Sequence, residues 1–120
     1  MGLFTKKRTS EPVPYDDSIA YQLGSVHNLR ANLWRLSDEI GWEDRSQPSP
    51  TLDAKLAWGT DTYGHRTVSV TVGKYLIGYL PRSANDDLVA LIGKGPARGS
   101  VQMSEHGNTT TARCCVAGRS

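Results

Sequence analysis

The chain is poor in the features that mark the commoner function classes. It has two cysteines in 120 residues, and they are neighbours, Cys114 and Cys115. Adjacent residues on a strand point to opposite faces, so a bridge between them would be strained, and one buried thiol beside one exposed thiol is expected. No second pair of ligands stands at zinc-site spacing, so no metal is expected. No apolar run approaches the ~20 residues of a membrane-crossing helix. Lys6-Lys7-Arg8 is followed by no apolar segment, which does not fit a secretory signal. Met1-Gly2 has Lys6 where a myristoylation pattern wants Ser or Thr. A cytoplasmic protein with no membrane partner is the expectation. GxSxG, HExxH and glycine-rich phosphate loops are missing, and His27, His65 and His106 are scattered. Asp61 near His65 is the one acid–histidine pair worth naming. These absences predict a non-enzymatic protein with no cofactor and no small-molecule substrate.

What is present fits one domain with a modest core. The net charge is only +2, but it is unevenly spread. Residues 1–8 are basic, 9–61 carry nine acids against four bases, and 62–120 carry seven bases against three acids. A basic C-terminal half suits a nucleic-acid or acidic-protein partner.

The most regular stretch is Thr67 to Arg82. Val68, Val70 and Val72 alternate with Thr67, Ser69 and Thr71, which places the valines on one face of a strand. Gly73-Lys74 breaks the run, and Tyr75 to Leu80 follows at once, so a hairpin is predicted. Pro81 ends the second strand, having no N–H for a ladder. Ser83 or Asn85 is expected to cap a short helix. Asp86 and Asp87 lie in its first turn, Leu88, Leu91 and Ile92 on one face, and Gly93 at its stop.

Upstream, residues 1–15 read as a flexible basic arm and 16–120 as a single domain. Within it, 16–42 reads as helical and 52–120 as β-rich. From Ile19 to Ile40 the apolar spacing of three and four (Leu23, Val26, Leu29, Leu33, Leu36) predicts an amphipathic helix, with Gly24 as a point where it could split in two and Gly41 as its stop. Trp34, one place past Leu33, is expected to widen the buried stripe, the alternative being an exposed anchor for a partner. Residues 42–50 read as a loop. Leu52 to Trp58, Ser100 to Met103 and Thr109 to Ala117 read as strands, with a turn over Glu105 to Asn108. The fold class is α+β: an N-terminal helix, then a small antiparallel, barrel-like β domain with one short helix.

Residues 52–103 resemble the HIRAN family, small β-rich domains found fused to helicase-like remodellers and also alone in bacteria and phages. The resemblance rests on Tyr63 in the loop, Val68-Ser69-Val70 in the strand, Gly73 at the turn, and Gly78-Tyr79-Leu80-Pro81-Arg82. Gly64 stands at the family's Asp position, and the family's first strand has no counterpart in this reading. The resemblance implies a binding module for single-stranded DNA or DNA ends, with Tyr79 as the stacking ring and Arg82 as the phosphate contact. Tyr63 would support the loop, and Lys74 and Arg66 would add positive charge.

A second class of function is carried by the first half of the chain. Its acidic balance and predicted helix suit a protein–protein interaction module of the kind a phage encodes to target a host replication protein. Gln22, Leu23 and Trp34 are its candidate contacts. Tyr21-Gln22-Leu23-Gly24-Ser25-Val26 resembles the Gln-Leu-x-x-hydrophobic peptides that dock on bacterial sliding clamps.

Overall fold

In the computed structural model, residues 13–24, 29–92, 97–107 and 109–116 are described. The elements in chain order are β1 (Tyr21–Gln22), α1 (Arg30–Ile40), β2 (Leu52–Thr60), β3 (Arg66–Val72), β4 (Tyr75–Tyr79), α2 (Asn85–Ile92), β5 (Ala97–His106) and β6 (Thr109–Val116). The class is α+β with β dominant.

The valine strand sets the inside of the sheet. Val68 and Val70 are fully buried and Val72 nearly so, while Thr67, Ser69 and Thr71 stay partly open. Gly73 turns the chain with φ 59°, a left-handed value that other residues adopt at a cost. All strand pairs are antiparallel, in the order β1-β6-β5-β2-β3-β4.

The sheet curls into a half-barrel, and one short segment bridges its two edges. Tyr21 and Gln22 pair with Cys114 and Arg113 of β6. The Leu23 amide donates to the Ala112 carbonyl at 2.9 Å. One residue later the chain has crossed to the far edge. The Gly24 amide donates to the Tyr79 carbonyl at 2.8 Å, and the Tyr79 amide to the Gly24 carbonyl at 3.1 Å. Gly78 permits this seam, because a Cβ there would lie 3.0 Å from Leu23 Cβ and 3.1 Å from the Gly24 carbonyl oxygen. The rest of the β4 edge is met by α1, whose Asn32 Nδ2 donates to the Leu76 carbonyl at 2.8 Å.

Leu33 and Leu36 from α1, Leu56, Ile77, Leu88, Val101 and Met103 fill the core with the valines. The loop 42–50 is folded around an indole. Trp42 is buried, its Nε1 donates to the Gln47 carbonyl at 3.1 Å, and Arg45 lies 4.3 Å over its ring while pairing with Glu105. Ser49 then extends the sheet beside β5, with its amide donating to the Met103 carbonyl and its hydroxyl accepting from the Met103 amide.

Several expectations are corrected. Of the predicted helix over 19–40, the described α-helix is Arg30–Ile40, while Asp17–Ile19 is a single 3₁₀ turn, Tyr21–Gln22 is a strand, and residues 25–28 lie outside the described residues. The apolar spacing of Leu23 was misleading, because that side chain is held by the sheet seam and not by a helix face. Gly41 does stop α1, at φ 69°. Val26 lies outside the described residues, as do Gly93 and most of the basic arm. Of that arm's last residues, Pro14 is held, its carbonyl accepting from Ser100 Oγ at 3.3 Å. Trp34 is 66 % exposed, because α1 buries only the side carrying Leu33, Leu36 and Ser37. Ser83 lies inside a 3₁₀ turn over Arg82–Ala84 that leads into α2 and has no side-chain cap of its own, and the Asn85 side-chain amide donates to the Arg66 carbonyl. Glu105 and His106 still belong to β5, so the turn is shorter than expected.

Both thiols are buried and free, against the expectation of one exposed. Cys114 faces the core, where burial pushes its thiol up to about 12. Cys115 faces outward but lies under the strap of residues 13–19: its Sγ donates to the Asp16 carbonyl at 3.1 Å and receives the Asp16 amide at 3.3 Å. Thiol titration of the native protein should therefore show neither group reacting at an appreciable rate, and both reacting once denaturant is added. Fast loss of one thiol under native conditions would mean that the strap does not cover Cys115.

Candidate functional site

The pairing register sorts the outer face of the sheet into rows. Lys55 of β2 lies opposite Arg98 of β5 on one side and Thr71 of β3 on the other. The next outward row is Ala57, Ser69 and Tyr79, and the one after is Gly59 and Thr67. Paired residues share a face, so these side chains form one surface. Ala57 and Gly59 are exposed, and Ser69 and Thr67 are partly so. The centre is thus a floor of small residues, with Lys55 and Arg98 at one end and the β2–β3 loop at the other. Tyr79 stands at its side, half-buried. Arg98 also pairs with Asp53 at 3.5 Å.

The loop at the far end is built by Asp61. Its Oδ1 accepts from the amides of Tyr63 and His65, both at 2.9 Å, and its own amide donates to the His65 carbonyl. Gly64 completes the turn at φ 81°. Those amide bonds, the His65 one first, hold the Asp61 carboxyl below its usual range. Because its folded pKa is lowered, this bracing is present above the ordinary carboxylate range and fades as the pH falls through the lowered value. His65 Nδ1 lies 3.4 Å from Asp61 Oδ2. The result is a preformed hairpin tip that presents Tyr63 with 84 % of its surface exposed, its ring centroid 6.4 Å from that of His65.

Two guanidinium groups flank this tip. Arg66, exposed at the start of β3, lies over the Trp58 ring with Cζ 5.2 Å from its centroid. The chain returns to the same level after β4. The Leu80 amide donates to the Val68 carbonyl, and the Asn85 amide group reaches the Arg66 carbonyl at 3.1 Å. That bond sets the Arg82–Ala84 turn beside the start of β3. Arg82 is exposed and, among the described residues, forms no ion pair.

Of the five residues expected to contact nucleic acid, four lie at this end: Tyr63, Arg66, Tyr79 and Arg82. Lys74 does not. It stands at the other end of β3, about 20–25 Å away by strand rise, with Nζ 5.5 Å from the Tyr75 ring. The two tyrosines also differ from expectation in exposure. Tyr63, expected to support the loop, is the open ring, whereas Tyr79 is partly covered and its backbone is tied to Gly24. Lys55, Arg98 and Trp58 were missed. The alternation of Lys55 with Ala54 and Leu56 was a usable signal for an outward charge. The meeting of Lys55 with Arg98, 43 positions apart, was not.

The partner-binding candidates do not come together. Leu23 is buried in the seam, Gln22 is exposed beside β6, and Trp34 is exposed on α1. Among the described residues no group of three His, Cys, Asp or Glu could hold a metal ion, and no helix is long and apolar enough to cross a membrane. No protein-family model, curated protein or solved structure matches the chain.

Proposed function

We propose that this chain is a non-enzymatic, HIRAN-like binding module that holds single-stranded DNA on the outer face of β2, β3 and β4. The observation that carries the proposal is the small-residue floor edged by an open ring and unpaired positive charge. Bases need a flat, uncluttered surface and an aromatic face, and Ala57, Gly59, Ser69 and Tyr63 offer both. Arg82 and Lys55 stand where a strand's phosphates would pass, whereas Arg66 shares the inward parity of Val68 and lies over Trp58. The family resemblance through Gly78-Tyr79-Leu80-Pro81-Arg82 points the same way.

A gel shift with single-stranded oligonucleotides tests it. Binding should weaken steeply with salt, as expected where Lys and Arg displace counterions. Tyr63→Ala should lower affinity about 5- to 150-fold, the loss of roughly 1–3 kcal/mol of stacking. Tyr79→Ala should cost less, since that ring is partly covered. No binding by the wild-type chain at low salt would remove the proposal.

One observation supports a second reading, an interaction module that meets a host or replication protein through α1. Trp34 stands 66 % exposed in the middle of that helix, and exposed tryptophans are frequent interface anchors. A Trp34-dependent partner recovered by pull-down, with oligonucleotide binding absent, would favour it.

A further inference from the structure

On the opposite flank of the sheet lies a groove that the oligonucleotide reading does not use. It has a volume of about 350 Å³ and is lined by Asp17, Gln22, Ser104, His106, Thr111 and Arg113. The register explains why they meet. Gln22 pairs with Arg113 across β1–β6, Ser104 pairs with Thr111 and His106 with Thr109 across β5–β6, and all project outward from the curled sheet. Every lining side chain is polar. Five of the six carry an N–H or O–H donor, and the exception is Asp17.

Asp17 is not part of the sheet. It sits on the 3₁₀ turn of the strap and reaches over to Arg113, with Oδ2 3.3 Å from Nη1. Its other carboxylate oxygen accepts the Tyr15 hydroxyl at 2.9 Å. The Asp17 side chain is 70 % exposed, so water competes for it, and an ion pair of this kind is readily displaced. A donor-lined groove whose sole acid comes from a neighbouring strap has the makings of an anion site with an internal occupant.

We propose that this groove binds a small phosphate monoester, with Arg113 as the charged anchor, Gln22, Ser104 and His106 as further donors, Thr111 as a donor once its hydroxyl leaves the Ser104 carbonyl 3.5 Å away, and the Asp17 carboxylate as the group the ligand displaces. The volume is at the lower end of the range for small-molecule sites and suits a ligand of sugar-phosphate or mononucleotide size. A planar fork with five donors keeps N–H groups to spare when one faces Asp17, which favours an oxyanion over a neutral ligand.

The test is a titration of the full-length, ¹⁵N-labelled chain with inorganic phosphate at constant ionic strength, chloride serving as the control anion. The amides of Ser104, Thr111 and Arg113 should shift and saturate with phosphate and not with chloride. Asp17→Asn should bring saturation at a concentration about fivefold lower, because the internal competitor loses its charge. Arg113→Gln should abolish it, and Gln22→Ala, which leaves the ion pair intact, should weaken it. The spectra report whether each variant is folded. Glycerol 3-phosphate and a 5′-phosphorylated oligothymidine then separate a free ester from a strand end as the source. Equal midpoints for wild type and Asp17→Asn, persistence in Arg113→Gln, or the same shifts with chloride would overturn the proposal. None of these outcomes depends on Tyr63 or the β2–β3 face.

Discussion

Gly99→Ala should destabilise the protein by about 3 kcal/mol, within the range for overpacking a tightly filled interior. Gly99 lies in β5 between Ala54 of β2 and Val116 of β6. A Cβ on it would come 2.5 Å from the Cys115 carbonyl oxygen and 3.1 Å from Cys114 Sγ. Neither neighbour has room to retreat. The carbonyl belongs to the backbone of the next strand, and Cys114 has no exposed surface. The β5–β6 ladder would have to part locally, in a domain whose total stability is about 5–15 kcal/mol. A melting temperature lower by about 10 °C is the expected reading. Gly59→Ala is the matched control: a Cβ there meets only Thr67 Oγ1, at an ordinary 3.7 Å, so the change should stay within about 0.5 kcal/mol. Equal melting of the two variants would show that β5 and β6 do not approach this closely.

Leu23→Ala should cost about 2–5 kcal/mol, the usual range for emptying a buried leucine site. Leu23 is 5 % exposed and sits where the two edges of the half-barrel meet, against Gly78. The loss therefore falls on the segment that ties Ala112 of β6 to Tyr79 of β4. Denaturant unfolding measures the loss, and amide exchange locates it. Exchange at Gly24 and Tyr79 should quicken more than at Val68 or Val70. A near-neutral effect on stability would mean that Leu23 is free to serve a partner, as the clamp-peptide resemblance implied.

These two residues also show where reading the chain succeeds and where it stops. The hairpin of β3 and β4 was legible because its determinants are local. Three valines at period two, a glycine and a proline suffice, and Val68, Val70 and Val72 are buried as expected. The strand at Tyr21–Gln22 was illegible because it is two residues long and owes its conformation to strands about 55 and 90 positions away. Leu23 sits at a spacing that a helix and a sheet seam satisfy equally. Cys115 is buried by Asp16, 99 residues earlier, so its exposure could not be read from its neighbours. The same limit applies to the candidate site. Tyr63, Arg66, Tyr79 and Arg82 were named from sequence, but which ring stands open depends on how Asp61 braces the loop and how Gly24 ties the β4 strand. The groove around Arg113 draws on β1, β5, β6 and the strap, and no contiguous stretch announces it.

The measurement that bears most directly on the proposed oligonucleotide-binding surface is amide-shift mapping of the labelled chain with a short single-stranded DNA at low salt. The predicted result is a set of saturating shifts at Ala57, Gly59, Ser69, Tyr79 and the Asp61–His65 loop, with α1 unaffected, that collapses on adding salt. No shift at all, or shifts confined to α1 around Trp34, would contradict it.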